Sequence, residues 1–487
     1  MERQVMRQVK SRIFYQIFVR SFYDSNNDGI GDINGIISKL NYLQNLGIDG
    51  IWLMPVHPSP SYHKYDVTDY YNIDSEYGTL ADFKRLLKEA HQRDIKIIID
   101  FVVSHTSSRH PWFLDAQKNL NSPFRNYFNW KDGQGFEHKQ GWYSIANVEE
   151  DTLSSQQYFG HFSSEMPDLN YDCPKVRQEV IKIGKFWVGE IGVDGFRLDA
   201  AQHIYPNNQH KKNCEWWKQF RVEMEAVNKN VFLVGEVWSE SEIAAPYLDK
   251  ALHAVFNFDI GYKIMKVVRI GKDSGIAVRH KQIRDLYSKY SKSYVDATFI
   301  TNHDQNRIMS GVKKNIDKAK MAASLLLTLP GSPFIYYGEE LGMQGKKPDE
   351  YIREPFIWDN KKTDKGQTKW IRVKYNKGLV SLARQMEDKK SIWNHYKTLI
   401  QLRKSNELLS FGEIEPLLLK DKKLIVFYRI LKDEALLIIH NPCNEDIECD
   451  IGLLNKTGFH FYFKSNKKCS IKETILTIFK FSTVIFE

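Results

Sequence analysis

Short apolar runs alternate with amphipathic segments along most of this chain. Ile13–Phe18 and Gly50–Met54 are mainly apolar and predict buried strands, and Ile36–Leu46 between them has the apolar spacing of a helix. Leu80–Arg93 then predicts another helix, and Ile95–Val103 predicts another buried strand. Strands that alternate with helices in this way favour a parallel sheet with helical crossovers.

The alternation stops at His105 and resumes only after about Tyr171. The stretch between them is rich in Asn, Gly, Ser, Trp and Tyr and has no clear period. It is too long for a loop in a compact domain unless it folds as a unit of its own. The sequence therefore predicts an inserted subdomain over residues 105–171.

Further strands and helices follow the insertion. The expected strands are Val193–Leu198, Val231–Glu236, Ala254–Phe258, Ala297–Thr301 and Ser332–Tyr337, and the expected helices are Lys175–Ile191, Glu215–Asn228, Ile276–Tyr290, Asp317–Leu329 and Trp393–Ser405. The total of eight strands matches a (β/α)₈ TIM barrel, which we assign to residues 1–104 and 172–408. An open doubly wound sheet is the alternative, but the glycine-rich dinucleotide turn after the first strand is missing from the sequence.

The pattern changes after Leu409 to short alternating strands, such as Lys423–Tyr428 and Ala435–His440. Strands of this kind predict an antiparallel all-β domain. We expect a C-terminal β-sandwich over residues 409–487.

Composition narrows the classes of protein that fit. The chain has 487 residues, of which 42% are hydrophobic and 26% charged, as in soluble globular proteins. No apolar run approaches the roughly 18 residues that a membrane helix needs. The formal net charge of +9 is modest for this length and the basic residues are scattered, so we expect no nucleic-acid partner and no membrane contact. We expect a monomer.

The cysteines and the amino terminus carry little information. Five cysteines without CxxC spacing indicate neither a disulfide framework nor a zinc cluster, and a single bridge among Cys443, Cys449 and Cys469 stays open. Met1–Lys10 is polar and lacks the apolar region of a signal peptide. The protein is therefore expected to be cytoplasmic if the chain is complete, and secreted if a signal has been removed.

The first candidate for chemistry is Gly195–Ala201, where Arg197 stands two residues before Asp199 near the end of an expected strand. Side chains two apart on a strand share a face. A guanidinium beside a carboxylate lowers its pKa, so we expect Asp199 to be ionised at neutral pH. Taken alone, the pair is better explained as a buried ion pair.

Polar groups at four strand ends change that interpretation. In a barrel, the carboxyl ends of the strands and the loops after them build the active site. Like charges gathered in one cleft are costly unless a function retains them. The groups are Asp100 and His105 after the third strand, Arg197 and Asp199 after the fourth, Glu236 after the fifth, and Asn302, His303 and Asp304 after the seventh.

Paired carboxylates are the groups that glycoside hydrolysis needs. One attacks the anomeric carbon, and a second, kept protonated, donates to the leaving oxygen. Asp199 suits the first role, and Glu236 suits the second because it lies in the apolar run Val231–Trp238, where a carboxyl pKa is raised. The third carboxylate is Asp304, and the histidines expected to bind sugar hydroxyls are His105 and His303.

These segments resemble the signature regions of the α-amylase family of glycoside hydrolases, family 13. They are DFVVSH (Asp100–His105), GFRLDAAQH (Gly195–His203), GEVW (Gly235–Trp238) and ITNHD (Ile300–Asp304), in the family's order. Further matches are GIWLMP (Gly50–Pro55), MPDLN (Met166–Asn170) and GSPFIYYGEELG (Gly331–Gly342). The resemblance covers the barrel and its insertion.

The resemblance implies a role for each matching residue. Asp199 is the nucleophile, Glu236 the general acid and base, and Asp304 the carboxylate that stabilises the transition state. Tyr65 in HKYDVTDYY is expected to stack on the sugar ring. The other residues expected to bind substrate or to support the site are Asp100, His105, Arg197, His203, His303 and Arg307. Tryptophans are more often core residues than sugar platforms, but candidates for the second role are Trp112, Trp130, Trp142 and Trp238.

An acidic loop, Asp24–Asp32, precedes the first expected helix. Oxygen-bearing side chains stand at alternate positions, as at the start of an EF-hand, although the twelfth position is Gly35. The alternative is an Asn/Asp-rich turn. We expect Ca²⁺, because three aspartates within nine residues repel one another without a cation and because the family has members with a metal in this loop. The expected ligands are Asp24, Asn26, Asp28, Ile30 and Asp32.

One departure from the family concerns a second calcium ion. The first region usually has an asparagine before its histidine, which binds a structural calcium between the barrel and the insertion. Ser104 stands there in this chain, so the sequence does not support a second site near Ser104 and His203.

The resemblance defines the type of reaction better than it defines the substrate. MPDLN and NHDQNR resemble members between the oligo-1,6-glucosidases and the neopullulanases. In exo-acting glucosidases of the family, an aspartate three residues before the stacking tyrosine recognises the non-reducing end, and Tyr62 stands there. We therefore expect a retaining, endo-acting α-amylase that cleaves α-1,4 bonds in starch and maltooligosaccharides.

Several alternatives stay open. Within the family these are an exo-acting α-glucosidase or oligo-1,6-glucosidase, and a cyclomaltodextrinase or neopullulanase. A different class is a catalytically silent member that binds glucan or serves a transporter. Such a member would lack a carboxylate of the triad, whereas Asp199, Glu236 and Asp304 are all present.

Overall fold

The computed structural model describes residues 9–132, 141–145, 156–206, 209–359, 365–417, 423–452 and 460–487. Eight parallel strands form a closed barrel, in which the first strand pairs with both the second and the eighth. This closure confirms the predicted TIM barrel and excludes the open sheet. The barrel strands are Phe14–Ile17, Gly50–Leu53, Lys96–Phe101, Gly195–Leu198, Phe232–Gly235, Ala254–Phe256, Val295–Phe299 and Ser332–Tyr336.

Helices connect these strands. The longer ones are Ile33–Leu46, Leu80–His91, Pro174–Lys185, His210–Val227, Phe258–Ile270, Ile276–Tyr290, Ile316–Thr328 and Ile392–Ser405. The shorter ones are Val19–Phe22, Ser241–Ala244, Ile308–Gly311, Asp349–Ile352, Leu382–Glu387 and Glu407–Phe411. Seven of these eight longer helices overlap predicted ones, with boundaries that differ by up to six residues.

Two differences from the prediction have clear physical causes. The sixth strand ends at Phe256, because the side chain of Asn257 caps a helix, Phe258–Ile270, that the pattern did not predict. The predicted helix Lys175–Ile191 is α-helical only as far as Lys185. It continues as a π-helical turn to Ile191, and Gly192 ends it with a φ of 91°.

The insertion lies between the third and fourth barrel strands. Its described part contains the helix Pro111–Lys118 and a small antiparallel sheet. Residues 133–140 and 146–155 of the predicted insertion lie outside the described residues. The strands of the sheet are Trp130–Asp132, Trp142–Ser144 and Gln156–Phe159, with the last in the centre.

The C-terminal residues form two antiparallel sheets. The larger has strands Glu413–Leu417, Ile425–Leu431, Glu434–Asn441, Phe461–Lys464 and Ser482–Phe486, and the smaller has Ile447–Asp450, Ser470–Lys472 and Ile475–Ile478. Ile439 and Val484 of the larger sheet share one hydrophobic cluster with Ile447 and Leu476 of the smaller. The predicted all-β domain is confirmed, and its two sheets pack against each other as in a sandwich.

The five cysteines are all free in the structure. Within the described ranges, none of the helices combines the length and the apolar character needed to cross a membrane.

Side-chain alternation along the fourth barrel strand determines what reaches the mouth of the barrel. Phe196 and Leu198 belong to the main hydrophobic core, so Arg197 between them lies on the opposite, inner face. Gly195 packs so closely on the fifth strand that a Cβ atom there would lie 1.9 Å from the carbonyl oxygen of Phe232. Below Arg197 the interior is filled by a second cluster that includes Phe14, Trp52, Phe256 and Phe334.

Candidate active site

A cavity of about 480 Å³ lies where the carboxyl ends of the barrel strands meet the insertion. Its lining comes from residues that follow six different barrel strands, which is how a TIM barrel assembles an active site. Among the lining residues are Tyr65, His105, Asp199, Glu236, Trp238 and Asp304.

Arg197 lies beneath the cavity and binds three carboxyl groups. Its Nη1 atom is 2.5 Å from Asp199 Oδ1 and 2.6 Å from Asp100 Oδ1, and its Nη2 atom is 2.8 Å from Glu236 Oε1. The backbone N–H of Ala200 donates to the other oxygen of Glu236 at 3.1 Å. All of these side chains are buried. One guanidinium therefore holds three carboxyl groups at fixed positions around the base of the cavity.

The pKa of Asp199 is raised, contrary to the sequence-based expectation. Burial raises it, Arg197 offsets this only in part, and the nearby carboxylate of Asp304 raises it further. The expectation was wrong because the sequence shows the arginine but neither the burial nor the third carboxylate.

The pKa of Glu236 is raised, as expected, but for a different reason. Burial raises it, Arg197 opposes this, and the charges of Asp199 and Asp304 reinforce it. The carboxyl group is bonded to a guanidinium and to a backbone N–H. Burial at the base of the cavity, rather than an apolar run, accounts for the shift.

Asp304 has the opposite electrostatics. Arg353 Nη2 donates to Asp304 Oδ1 at 2.9 Å, and His303 Nε2 lies 3.0 Å from Asp304 Oδ2. Burial acts to raise the pKa of Asp304, but His303 and Arg353 together lower it well below its ordinary value. An ionised Asp304 thus faces the same cavity as Glu236, whose pKa is raised. When two carboxyl groups have pKa values shifted in opposite directions, one can act as an acid while the other stays ionised.

Tyr65 forms one wall of the cavity. Its ring stacks on His303 with centroids 5.4 Å apart and 5° between the planes, and its hydroxyl donates to Asp100 Oδ2 at 3.0 Å. His105 Nε2 donates to the carbonyl oxygen of Tyr65 at 3.0 Å. Gln16 Nε2 lies 2.7 Å from His303 Nδ1 and supports that ring from below. These contacts hold the tyrosine ring in one orientation.

Comparison with known proteins assigns the family. The family model described as the alpha amylase catalytic domain matches residues 16–412 of this chain. The chain belongs to the alpha-amylase family. Alpha-amylase 3 of Dictyoglomus thermophilum is 47% identical over 434 residues, covering 89% of this chain and 85% of that protein. An oligo-1,6-glucosidase of Parageobacillus thermoglucosidasius is 33% identical, covering 89% of this chain and 90% of that protein. The crystal structure of an alpha-amylase from H. orenii has a TM-score of 0.89 and 42% identity, covering 98% of this chain and 99% of that one.

As a member of the alpha-amylase family, the chain is a glycoside hydrolase, and the resemblance seen in its segments is confirmed. The structure brings most of the predicted site residues together. Those that line the cavity are Tyr65, His105, Asp199, Glu236 and Asp304. Those that are buried beneath it and bonded to the lining residues are Asp100, Arg197 and His303.

Two further residues predicted to bind substrate, Arg307 and His203, are neither among these lining residues nor among the three buried beneath them. Arg307 is fully buried, and its guanidinium donates to the carbonyl oxygens of Ile352 at 2.8 Å and Tyr337 at 2.7 Å. It supports the backbone after the eighth strand instead. The ring of His203 stacks on His161, with centroids 4.2 Å apart. Both residues belong to segments that resemble the family's. A residue's presence in such a segment does not determine whether its side chain points into the cavity.

The acidic loop makes turn hydrogen bonds. Asp24 accepts the backbone N–H groups of Asn27 at 2.6 Å and Gly29 at 2.8 Å, and Asp32 caps the following helix by accepting the N–H of Gly35 at 2.7 Å. In the described part of the chain, no three His, Cys, Asp or Glu side chains are grouped to hold a metal ion. The oxygen donors of the loop suit a hard cation chemically, and calcium stays a prediction. The predicted ligands other than Asp24 and Asp32 are Asn26, Asp28 and the carbonyl of Ile30.

Ser104, where a second calcium was considered, has protein partners. Its hydroxyl donates to His105 Nδ1 at 2.9 Å, and its carbonyl accepts the N–H of Leu169 at 2.9 Å. These bonds join the end of the third strand to the end of the insertion.

The cavity also contains residues that the sequence analysis did not single out. Arg353 binds Asp304, and Asp349 lies on the same rim. The signal that could have found them is the charged run 346–354, which follows the eighth strand. His63, two residues before Tyr65, lines the cavity as well. Of the four candidate tryptophans, Trp238 lines the cavity, and the three that pack on aromatic rings of the insertion are Trp112, Trp130 and Trp142.

Proposed function

We propose that this glycoside hydrolase is a retaining, endo-acting α-amylase that cleaves α-1,4-glucosidic bonds in starch and maltooligosaccharides. The observation that carries the proposal is the shared contact of Asp199 and Glu236 with Arg197. Retaining glycosidases have two carboxyl groups about 5–5.5 Å apart. Two carboxyl groups bound to neighbouring nitrogens of one guanidinium suit that short separation.

The reaction proceeds in two steps. Asp199 attacks the anomeric carbon and forms a glycosyl-enzyme bond, while Glu236 donates its proton to the departing glycosidic oxygen. Glu236, now ionised, then removes a proton from water, which attacks the anomeric carbon and releases Asp199. Each step inverts the anomeric centre, so the α configuration is retained overall.

The electrostatics support this division of roles. The raised pKa of Glu236, caused by burial, keeps a proton available for the leaving oxygen. Asp304 stays ionised beside Arg353, where it can bind sugar hydroxyls and stabilise positive charge on the ring in the transition state. Arg197 fixes the nucleophile and the acid relative to each other.

An aromatic residue in the cavity, Trp238, and one beside it, Tyr62, support endo action. Tyr62 stands where exo-acting relatives are expected to carry an aspartate, and its ring stacks on Trp370 with centroids 5.2 Å apart and 17° between the planes. Trp238 is 39% exposed, and one face of its ring stacks on Phe258 at 5.0 Å. Aromatic faces bind the apolar faces of sugar rings along an extended chain, whereas a carboxylate would recognise a chain end.

The proposed substrate is an α-glucan, and the proposed state is a monomer with no nucleic-acid partner, given the modest and scattered charge. Exo-acting cleavage and α-1,6 preference are the competing specificities, since a 33% identical relative is named an oligo-1,6-glucosidase.

A time-resolved product profile on starch, maltotriose, pullulan and cyclodextrin tests the proposed specificity. We expect starch to yield a spread of maltooligosaccharides from the earliest time points. Glucose as the sole early product would indicate an exo-acting enzyme, and preference for pullulan or cyclodextrin would indicate a neopullulanase type. A folded protein that cleaves none of the four substrates would favour the silent class.

A further inference from the structure

Gln16 is a buried polar residue on the first barrel strand. Tyr15 and Ile17 on either side of it belong to the main hydrophobic core, so Gln16 lies on the opposite, inner face of the barrel. Its exposed fraction is 2%, and its amide nitrogen, Nε2, lies 2.7 Å from His303 Nδ1. Burying an amide is costly unless it is hydrogen-bonded, so the contact with His303 accounts for a glutamine at this position.

The other ring nitrogen of His303 carries a proton. Nε2 lies 3.0 Å from Asp304 Oδ2 and 2.5 Å from the hydroxyl oxygen of Tyr65. The Tyr65 hydroxyl donates its only proton to Asp100 Oδ2 at 3.0 Å, so its oxygen accepts from His303. The pKa of Asp304 is well below its ordinary value, so this carboxylate is an acceptor as well. Both neighbours therefore require a hydrogen on Nε2.

The bond to Gln16 requires a lone pair on the opposite ring nitrogen. An amide NH₂ group only donates, so Nδ1 accepts its hydrogen and cannot hold a proton at the same time. His303 is fully buried, and burial lowers its pKa, although the carboxylate of Asp304 acts to raise it. The ring is therefore neutral, with its single proton on Nε2. The hydrogen bond from Gln16 exists only in this neutral form and so favours it.

The charge of His303 matters because of the groups around Asp304. Arg353 Nη2 binds Asp304 at 2.9 Å and Asp349 at 3.3 Å. These two carboxylates and one guanidinium have a formal net charge of −1 while His303 is neutral, and protonation of His303 would reduce that charge to zero.

We propose that Gln16 is a positioning residue that keeps His303 neutral, so that Asp304 presents its negative charge to the positively charged sugar ring of the transition state. This inference rests on the proposed function of Asp304. A neutral Nε2–H group donates to Asp304 and holds it in place without cancelling its charge. An imidazolium in the same place would oppose the positive charge that develops on the sugar, and part of the stabilisation of the transition state would be lost.

Two substitutions of similar size change the partner of His303 Nδ1. Gln16→Glu replaces the donor by a carboxylate, which accepts a hydrogen from Nδ1 and favours the imidazolium form. Gln16→Met removes the donor without adding a charge, so that protonation of Nδ1 is no longer opposed. We expect the pKa of His303 to be lowest in the wild type, higher in Gln16→Met and highest in Gln16→Glu.

NMR of the protein labelled with nitrogen-15 in its histidine rings measures this protonation, because the ring nitrogens of neutral and charged histidine differ in chemical shift. The spectrum of His303→Gln identifies the signals of His303 by their absence. Thermal unfolding checks that the Gln16 variants are folded.

The kinetic measurement is kcat and KM on maltopentaose as a function of pH. Gln16→Glu is expected to lower kcat roughly 10- to 100-fold at neutral pH and to change KM by less than about 2-fold, since the lost interaction acts mainly in the transition state. Gln16→Met should show a smaller loss, which grows as the pH falls and His303 becomes protonated. In both variants the loss of kcat should follow the protonated fraction of His303.

A purely structural role for Gln16 would lower kcat while His303 stays neutral, and that result would overturn the inference. A protonated His303 together with a wild-type kcat would overturn it as well. A neutral His303 and a wild-type kcat in Gln16→Glu across the pH range would show that the amide donor is not needed. A folded wild-type protein that does not cut maltopentaose would instead overturn the proposed function.

Discussion

The carboxyl groups of the site bind to two different arginines, Arg197 and Arg353. Arg197 binds three buried carboxyl groups, including that of Glu236, whereas Arg353 binds Asp304. Burial raises the pKa of Glu236, and the bonds from His303 and Arg353 lower that of Asp304. A proton donor and a permanent negative charge thus face one cavity, which is the combination that glycoside hydrolysis needs.

Replacing Glu236 by Gln tests the acid directly. The substitution keeps the size of the side chain and removes the transferable proton. The kcat on starch is expected to fall roughly 10²- to 10⁴-fold, the usual contribution of a general acid, while maltopentaose binding measured by calorimetry changes little. Near-normal turnover would remove Glu236 from this role.

The pH dependence follows from the raised pKa of Glu236. Its ordinary value is 4.5, and burial raises it, so the acid keeps its proton above that pH. Activity should therefore be lost as pH rises through the raised pKa of Glu236, and also as pH falls through the raised pKa of Asp199, which attacks only when ionised. The lowered pKa of Asp304 means that protonation of this group does not limit activity in mild acid. A profile of kcat/KM against pH checks this, and an alkaline fall centred on 4.5 would contradict it.

The elements of the barrel were largely predictable, because each buried strand is a short apolar run. For the helix Ile276–Tyr290, the first and last residues are the predicted ones. The helix Phe258–Ile270 was missed because its cap, Asn257, directly follows the sixth strand, so a single apolar run covers the end of one element and the start of the next.

Site residues were predictable where a carboxylate follows the end of a predicted strand, as Asp199 and Glu236 do. They were not predictable where a contact joins different loops. Arg353 and Asp304 are 49 residues apart and meet because their strands are neighbours in the closed barrel.

At the scale of single elements, the acidic loop Asp24–Asp32 is predicted to bind calcium. If Ca²⁺ is held by Asp24, Asn26, Asp28, the carbonyl of Ile30 and Asp32, removing it with a chelator should lower the melting temperature, because a ligand that binds only the folded state stabilises it. Asp28→Asn should reduce the effect of the chelator. Differential scanning calorimetry measures both.

Asp433→Asn is the control, since Asp433 is exposed and lies in the C-terminal domain. An unchanged melting temperature after chelation of the wild-type protein would favour the turn interpretation, in which Asp24 and Asp32 accept hydrogen bonds from the loop and from the start of the following helix.

At the scale of the whole molecule, a buried arginine connects the C-terminal sheets to the active-site barrel. Arg429, in the strand Ile425–Leu431, donates to the carbonyl oxygen of Thr328 at 2.5 Å, and Arg403 of the last barrel helix donates to that of Leu327 at 2.9 Å. Both carbonyls lie at the end of the helix that leads into the eighth barrel strand. The C-terminal domain therefore supports the strand whose following loop carries Arg353.

The central claim is that Asp199 and Glu236 act together in a double displacement. Proton NMR of the anomeric signals during the first moments of maltooligosaccharide cleavage tests it most directly, before the products equilibrate between anomers. The mechanism predicts that the α-anomer appears first and that the β-anomer follows only by mutarotation. Initial release of the β-anomer would show inversion and would contradict the account.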